Sequence, residues 1–597
     1  MILSRLVSLD VETYRNYLLI MFKHFVTKNV IYFEKFNDTP LDATGVLRIL
    51  TNYTIITFNG NNYDIPVVRA ALTGYGNADI FAISGEIIQN NIKPWVLEDQ
   101  YDLVDLPTID HIDLIEVAAA SAQRRVSLKL AGALLHAPKI QDLPFDPARE
   151  ILDDERPEMR SYCENDHDLT ACLWKELRAP LELREVLSDE YGLDLRSKSD
   201  AQLAEAVTRK IFKEKYGIYR TEQDLEGTDL YYSPPAYINF KTEQLQKIFT
   251  IYETSPFRVF KGKPTLPQEL GKVGFSFYGQ DYKVGIGGIH SVEKKISHFA
   301  TENEVLLLYD VVSYYPFLVL NNNFFPRELG EAALVELATV VNRRVAAKKA
   351  GRTVEDKTLK IYINGWFGKL GDFFSILYSP EMLIAVTITG QLTLLMLIER
   401  FELNGIKVLS ANTDGVYIKT DKPDLANKII EWWESITGLK MGCTKYASLH
   451  SRDVNNYLAF GAGGEVERKG VFSNKRLGKN PHCKVCAEAV ENYLKSGKPL
   501  DATIYACDDV RKFLVVRTVK TGAAKSGEYL GKVVRWYYGK SEIDAIYYNT
   551  NGNKVAESMG GIPLMVLPET LPSDVDYEYY IAYAKKMLKG IGLAPPL

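Results

Sequence analysis

Asp310 closes the apolar run "EVLLLYD", and Asp414 stands in the polar turn of "SANTDGVYIKT". A carboxylate set beside apolar strands loses hydration, which something positive must offset. Two acids at neighbouring strand ends can hold two divalent ions about 3.5–4 Å apart, and such a pair serves phosphoryl transfer by activating an attacking hydroxyl and clamping a leaving pyrophosphate. The N-terminal region offers a second set. In "SLDVETY", Asp10 and Glu12 share one side of a strand, because side chains two apart face the same way. "TFNGNNYDIP" brings Asp64 to the end of another apolar run, and "YCENDHDLT" puts Tyr162 and Asp166 one helical turn apart. Between residues 343 and 360, Arg343, Arg344, Lys348, Lys349, Arg352, Lys357 and Lys360 face only Glu355 and Asp356. On two antiparallel helices, Arg344, Lys348 and Lys360 could converge on phosphates.

Holding these groups in place takes more than one core. At 597 residues the chain exceeds what a single core supports, and a prior of roughly 150 residues per domain implies about three to five units. Hydrophobic content of 46% with 25% charge is ordinary for a globular protein, and 36 tyrosines suit wet functional surfaces. The net charge of −5 gives no argument for nucleic acid, so any such argument rests on local clusters. Six scattered cysteines fit a reducing compartment; "HCKVC" (482–486) has one CxxC pair where a zinc site needs a second. The apolar stretch 382–398 carries Gln391, Gly390 and three threonines, and reads as a buried helix rather than a membrane span. Strand-rich 1–20 and 51–58, with helical patterns near 64–73, 126–136 and 158–178, predict a first α/β domain. Residues 180–290 read as charged and helical, ending in the Gly-rich connector "VGIGGIHSV". A second β-rich start follows at 304–316, then helices over 331–350, 356–370, 381–403 and 422–438. The tail beyond 470 is basic and aromatic in places, without strong pattern.

These motifs resemble those of family B DNA polymerases. "DVVSYYP" (310–316) resembles motif A, DxxSLYP; "KIYINGWFG" (360–368) resembles motif B, KxxxNSxYG; "NTDG" (412–415) resembles motif C, DTDS; they stand in the family's order. The resemblance implies that Asp310, Asp414 and the Val311 carbonyl bind metal, and that Tyr315 lies under the sugar and excludes a 2′-hydroxyl. It further implies that Lys360, with Arg344 and Lys348, meets the incoming dNTP, and that Asn364 and Phe367 line the nascent base pair. Departures are Asn412 for the first Asp of motif C, Gly415 for its Ser, and Gly365 for the Ser of motif B. The Lys-x-Tyr that holds the primer end corresponds to "NNY" (455–457), with Arg452 or Lys469 as stand-ins for its lysine. The N-terminal motifs resemble DEDD-type exonucleases of the tyrosine form: Asp10, Glu12, Asp64 and Asp166 would bind two metals, Tyr162 would orient the attacking water, and Asn59 would touch the strand. "SLKLAGALLH" (127–136) resembles a further helix of that fold, with Lys129 either part of it or simply exposed, and His111 and Asp113 are read as structural.

The fold implied is multidomain α/β and α+β: a ribonuclease-H-like exonuclease domain (1–180), a connector and start of palm (181–300), palm with motif A (301–330), fingers with motif B (331–375), palm with motif C (376–470) and thumb (471–597). The thumb follows from position rather than from a motif. Implied cofactors are two Mg2+ per active site, with Mn2+ able to substitute; implied partners are primed DNA and dNTPs, for a cytoplasmic monomer without membrane. Asp10 lies too near the start for the extra N-terminal domain of larger relatives, which suggests a compact phage or plasmid type. Asp310 and Lys360 are 50 residues apart, and Lys360 and Asp414 are 54 apart, which leaves little room for the insertions of protein-primed enzymes. Extension of a nucleic-acid primer is therefore expected. The alternatives are a protein-primed polymerase, a stand-alone exonuclease, or a DNA-binding protein with a decayed polymerase domain.

Overall fold

The computed structural model describes residues 3–219, 224–271, 274–478 and 483–596. A five-stranded sheet opens the chain, built from β1 (Leu6–Tyr14), β2 (Tyr17–His24), β3 (Val30–Phe36), β4 (Thr54–Thr57) and β5 (Asp110–Asp113) in the order β3-β2-β1-β4-β5. The β1–β2–β3 pairs are antiparallel, and β4 and β5 run parallel to β1. Alternation along β1 decides what each face does. Val7, Leu9 and Val11 enter one apolar core with Val67 and Val68 of the helix Asp64–Thr73. Ser8, Asp10 and Glu12 turn to the other face, against the helix Arg156–Glu176.

Between the first domain and the central sheet, the helices Arg178–Tyr191, Asp200–Tyr216 and Glu243–Thr254 confirm the helical reading of 180–290 only in part. The same stretch supplies a small sheet of β6 (Asp229–Leu230), β7 (Phe257–Phe260) and β8 (Lys263–Pro264), then the hairpin β9 (Gly274–Phe277) and β10 (Gln280–Lys283). That hairpin is the edge of a ten-stranded sheet completed by β11 (His290–Val292), β12 (Ile296–Phe299), β13 (Val305–Val311), β14 (Lys407–Asn412), β15 (Gly415–Thr420), β16 (Met441–Asp453), β17 (Asn456–Gly461) and β18 (Val466–Arg468). Its order is β18-β17-β16-β13-β15-β14-β11-β10-β9, with β12 pairing β16. The helix Pro380–Leu403 packs on this sheet with Leu392, Leu395 and Phe401 fully buried. It is long and apolar enough to cross a membrane, yet 83% of its most apolar window lies inside the protein. Ser379 caps it by accepting from the Met382 N–H, and Pro380 starts it where no N–H is needed.

The basic segment forms two helices, Ala332–Lys349 and Thr353–Gly368, joined through Gly351 and Arg352 as expected. The motif A residues past β13 are not strand: Ser313 takes a left-handed conformation and the chain enters the helix Tyr314–Asn322. The tail has more structure than its sequence shows. A long hairpin, β19 (Val515–Lys525) and β20 (Glu528–Tyr538), with β21 (Tyr547–Tyr548) and β22 (Gly561–Pro563), packs over the helices Lys484–Ser496 and Tyr577–Gly590. Cys483 and Cys486 are buried in that core, and Cys486 Sγ meets the Tyr580 carbonyl at 3.3 Å; His482 lies outside the described residues. All six cysteines are free thiols.

Candidate functional site

Two acid clusters form, one on each large sheet. In the first, Asp10 and Glu12 from β1, Asp64 at the start of its helix and Asp166 on the helix Arg156–Glu176 affect one another's charge. Burial is the main cause of their raised carboxyl pKa values: Asp10 is pushed up to about 6 and Asp166 to about 7, while Glu12 and Asp64 go well above the usual range. Neighbouring carboxylates add to the shifts of Glu12, Asp64 and Asp166, the Cys163 thiol lowers that of Asp10, and Lys129 opposes those of Asp10, Glu12 and Asp166. One carboxyl oxygen of Asp64 and one of Asp166 are buried without a hydrogen-bond partner. Such a set of oxygens is what a hard divalent cation requires, and its charge would reverse the penalty.

Tyr162 lies a turn before Asp166, with its hydroxyl accepting from Lys129 Nζ at 2.5 Å and the ammonium 4.6 Å from its ring centroid. Lys129 is thus a member of the site rather than simply exposed, because its helix packs against the helix of Tyr162. Cys163 was not anticipated either; its Sγ approaches Asp10 Oδ2 at 3.3 Å, and Asp10, Glu12 and Cys163 form the tightest group of metal-competent atoms among the described residues. His167, buried and held neutral with a depressed pKa of about 3, meets the Ser8 hydroxyl at 2.7 Å behind the acids.

His111 and Asp113 take the structural roles expected. Asp113 accepts from the main-chain N–H groups of Asn59 (2.7 Å), Asn61 (3.0 Å) and Ile115 (3.1 Å), and His111 meets the Thr57 hydroxyl at 2.8 Å. This holds Asn59 in a left-handed conformation at φ 71° before Asp64. Asn59 also borders a cleft of 1590 Å³ lined by Trp95, Arg125, Ser127 and Lys369; neither acid cluster contributes to its walls.

In the second cluster, Asp310 is the last residue but one of β13 and pairs across to Gly415 of β15, while the Val311 N–H donates to the Asp414 carbonyl at 2.8 Å. The two acids therefore emerge side by side. Partial desolvation raises both carboxyls; Glu467 adds to the shift of Asp310 and Asp310 to that of Asp414, whereas Lys348 and Lys469 work against them. A Cβ on Gly442 of β16 would come within 3.2 Å of Asp310 Oδ1, so glycine keeps the space over that carboxylate clear.

The Tyr315 hydroxyl donates to the Gly287 carbonyl at 2.7 Å, and its ring lies 5.8 Å from Tyr314 and 5.9 Å from Phe367. Motifs A and B thereby meet. Arg344 reaches the Ser313 hydroxyl at 3.1 Å while paired to Asp356 at 3.0 Å. Lys360 and Asn364, four residues apart, are exposed on one face of the helix Thr353–Gly368.

The motif departures acquire reasons. A Cβ at Gly365 would meet the Asp200 carbonyl oxygen at 2.2 Å, because the helix Asp200–Tyr216 packs there. Asn412 pairs in the sheet with His290 and Gly415, and its side-chain oxygen only grazes the Thr413 hydroxyl at 3.4 Å. Of the two stand-ins for the missing lysine, Lys469 is the one brought to the site: its Nζ is 5.5 Å from the Tyr457 ring and its charge reaches Asp414. Arg452 instead lies toward Asp453 at 3.9 Å, beside a separate cavity of 350 Å³. Glu467, which the sequence did not signal, accepts from three tyrosine hydroxyls: Tyr417 (3.2 Å), Tyr446 (2.8 Å) and Tyr457 (2.5 Å).

No protein-family model matches the chain. Curated relatives named DNA polymerase 1 match in part: 25% identity over 241 residues with that of Saccharolobus solfataricus (39% of this chain, 26% of the relative), 27% over 124 residues with that of Aeropyrum pernix (20% and 13%), and 25% over 161 residues with that of Sulfurisphaera ohwakuensis (27% and 18%). The matches thus span about a quarter or less of those relatives. The solved structure of the family B DNA polymerase from Pyrobaculum calidifontis aligns over 99% of this chain and 78% of its own, at 15% identity and a TM-score of 0.41, too loose to add to the fold described above. In sequence the chain is thus similar over part of its length to archaeal DNA polymerases, and its motifs A, B and C resemble those of family B.

Proposed function

We propose that the chain is a DNA-directed DNA polymerase that extends a nucleic-acid primer and removes mispaired ends with a 3′–5′ exonuclease. The observation that carries the reading is the convergence of motifs A, B and C: Asp310 and Asp414 side by side, Lys348 and Lys469 balancing their charge, and Tyr315 packed against Phe367. Asp310, Asp414 and the Val311 carbonyl would hold Mg2+, which supplies Lewis acidity for nucleotidyl transfer; Asp10, Glu12, Asp64 and Asp166 would do the same for hydrolysis. Arg344, Lys348 and Lys360 bind and orient the triphosphate. The anchored Tyr315 ring leaves no room for a 2′-hydroxyl, and Asn364 and Phe367 border the new base pair. Lys469 and Tyr457 grip the primer end. At the N-terminal sheet, Tyr162, set by Lys129, orients the attacking water, and Asn59 receives the strand.

The domain boundaries given above are retained in this reading, with residues 471–597 as thumb. The enzyme works as a monomer in the cytoplasm on primed DNA and dNTPs. The short intervals between motifs favour a nucleic-acid primer over protein priming; a compact phage or plasmid type belongs to the same proposal, although the curated relatives are archaeal. A labelled primed template, incubated with and without dNTPs and Mg2+, tests both activities. Metal-dependent extension with dNTPs and end-trimming without them support the reading. Trimming alone would leave a nuclease, and neither activity would leave a DNA-binding protein.

A further inference from the structure

The N-terminal acid site is joined by hydrogen bonds to the C-terminal hairpin, some 390 residues away in sequence, through one carboxylate, Asp142. Its Oδ1 accepts from Lys129 Nζ at 3.2 Å, the same ammonium that donates to the Tyr162 hydroxyl. Its Oδ2 accepts from the Tyr529 hydroxyl at 2.9 Å and the Lys532 main-chain N–H at 3.1 Å, both on β20. The approach is close enough to require glycine: at Gly531, φ +96°, a Cβ would stand 2.8 Å from the Cβ of Asp142. Residues 137–140 are fastened to the same C-terminal region. Buried Arg535 donates to the Ala137 carbonyl at 2.8 Å, the Leu567 N–H to the Pro138 carbonyl at 2.7 Å, and the Ile140 N–H to the Met565 carbonyl at 2.8 Å.

We infer that Asp142 is a positioning residue through which the β19–β20 hairpin sets Lys129 against Tyr162 and so tunes hydrolysis at the N-terminal acid site. The inference rests on the exonuclease reading above. One carboxylate oxygen faces each domain, so a shift of the hairpin moves the carboxylate, and the carboxylate carries the ammonium. Charge-assisted hydrogen bonds of this kind are directional and strong enough to fix a lysine rotamer. Lys129 is also the cation opposing the mutual repulsion of Asp10, Glu12 and Asp166. Misplacing it disturbs both the tyrosine and the acids, without either being mutated.

The test measures kcat and KM for degradation of a labelled single-stranded oligonucleotide with Mg2+, using the full chain. Parent, Asp142→Asn, Tyr529→Phe, the double variant and Asp142→Glu are compared, with Asp10→Ala as the inactive control. The expected result is a fall in kcat, about ten- to a hundredfold for Asp142→Asn as for other supporting residues around metal sites, and smaller for Tyr529→Phe. KM stays within twofold, Asp142→Glu recovers part of the loss, and extension of a matched primer is unchanged. The double variant should be no worse than Asp142→Asn, since both act through one bond network. Additive losses, a loss confined to KM, a parallel fall in extension, or unchanged kcat would overturn the inference while leaving the nuclease reading intact. A parent no faster than Asp10→Ala would remove the nuclease reading itself, and the inference with it.

Discussion

Tyr315 shows how much one side chain can be constrained before any substrate arrives. Its hydroxyl is tied to the Gly287 carbonyl and its ring is bounded by Tyr314 and Phe367, so it cannot swing away from an incoming sugar. Tyr315→Val should therefore raise ribonucleotide incorporation relative to deoxynucleotide by about tenfold or more, whereas Tyr315→Phe, which keeps the ring, should change it little. Competition assays with paired rNTP and dNTP measure this, and unchanged discrimination in a folded Tyr315→Val variant would return the ring to mere packing. For the acids, Asp310→Ala or Asp414→Ala should reduce extension to below about one per cent of parent while leaving end-trimming intact, because metal positioning supplies most of the barrier reduction. Extension and trimming measured on the same preparations decide it. At Asn412 the weak side-chain contact means that Asn412→Asp loses little structure and adds charge beside Asp414. A magnesium titration should show the optimum moving to lower concentration at similar maximal rate; a uniformly depressed curve would mean that the amide holds the turn.

At the scale of elements, Gly365 decides how two helices meet. Motif B of the resembling family carries Ser there, but in this chain the backbone of Asp200 occupies the space, so Gly365→Ser must push apart the helices Thr353–Gly368 and Asp200–Tyr216. The expected cost is about 1–3 kcal/mol, read as a lower urea midpoint and as slower extension, since Lys360 and Asn364 ride on the displaced helix. A variant with parental midpoint would show that the helices part freely. The contrast between what was and was not legible in the sequence turns on such contacts. The helices expected over 331–350 and 356–370 are found as Ala332–Lys349 and Thr353–Gly368, the second starting three residues earlier, and the alternation in β1 is as its apolar spacing implies. Lys129 gave no sign of its role, because its partners Tyr162 and Asp142 are 33 and 13 residues away and only packing joins them. The C-terminal hairpin likewise went unread: β19 and β20 are interrupted by register shifts near Thr518 and Ala523, which break the two-residue period. Glu467, in "GEVERK", carries no motif of its own, and its three tyrosines come from three different strands.

A chain of this size with several separate cores does not melt as one unit, so a single unfolding temperature would average over domains that respond to different things. The N-terminal acid cluster makes one such response specific. Asp10 and Asp166 titrate in the folded protein at about 6 and about 7, above the values near 4 of an unfolded chain. A carboxyl whose folded pKa is raised contributes stability that is fully present below about pH 4 and is lost as pH climbs through the folded values. Each such acid costs about 1.4 kcal/mol per pH unit across that window. In EDTA, therefore, the β1 strand and the helix Arg156–Glu176 should open more readily at pH 8 than at pH 5. A divalent ion bound only by the folded state takes over the role of the protons and cancels the loss. Hydrogen exchange over residues 6–14 and 156–176, corrected for intrinsic rates, measures this without reference to the rest of the molecule. The protection added by Mg2+ over EDTA should be small at pH 5 and grow by about tenfold or more at pH 8, and Asp10→Asn with Asp166→Asn should abolish that growth. Equal protection by Mg2+ at both pH values would mean that these four acids do not share a cation, and the hydrolytic half of the proposed function would lose its chemistry.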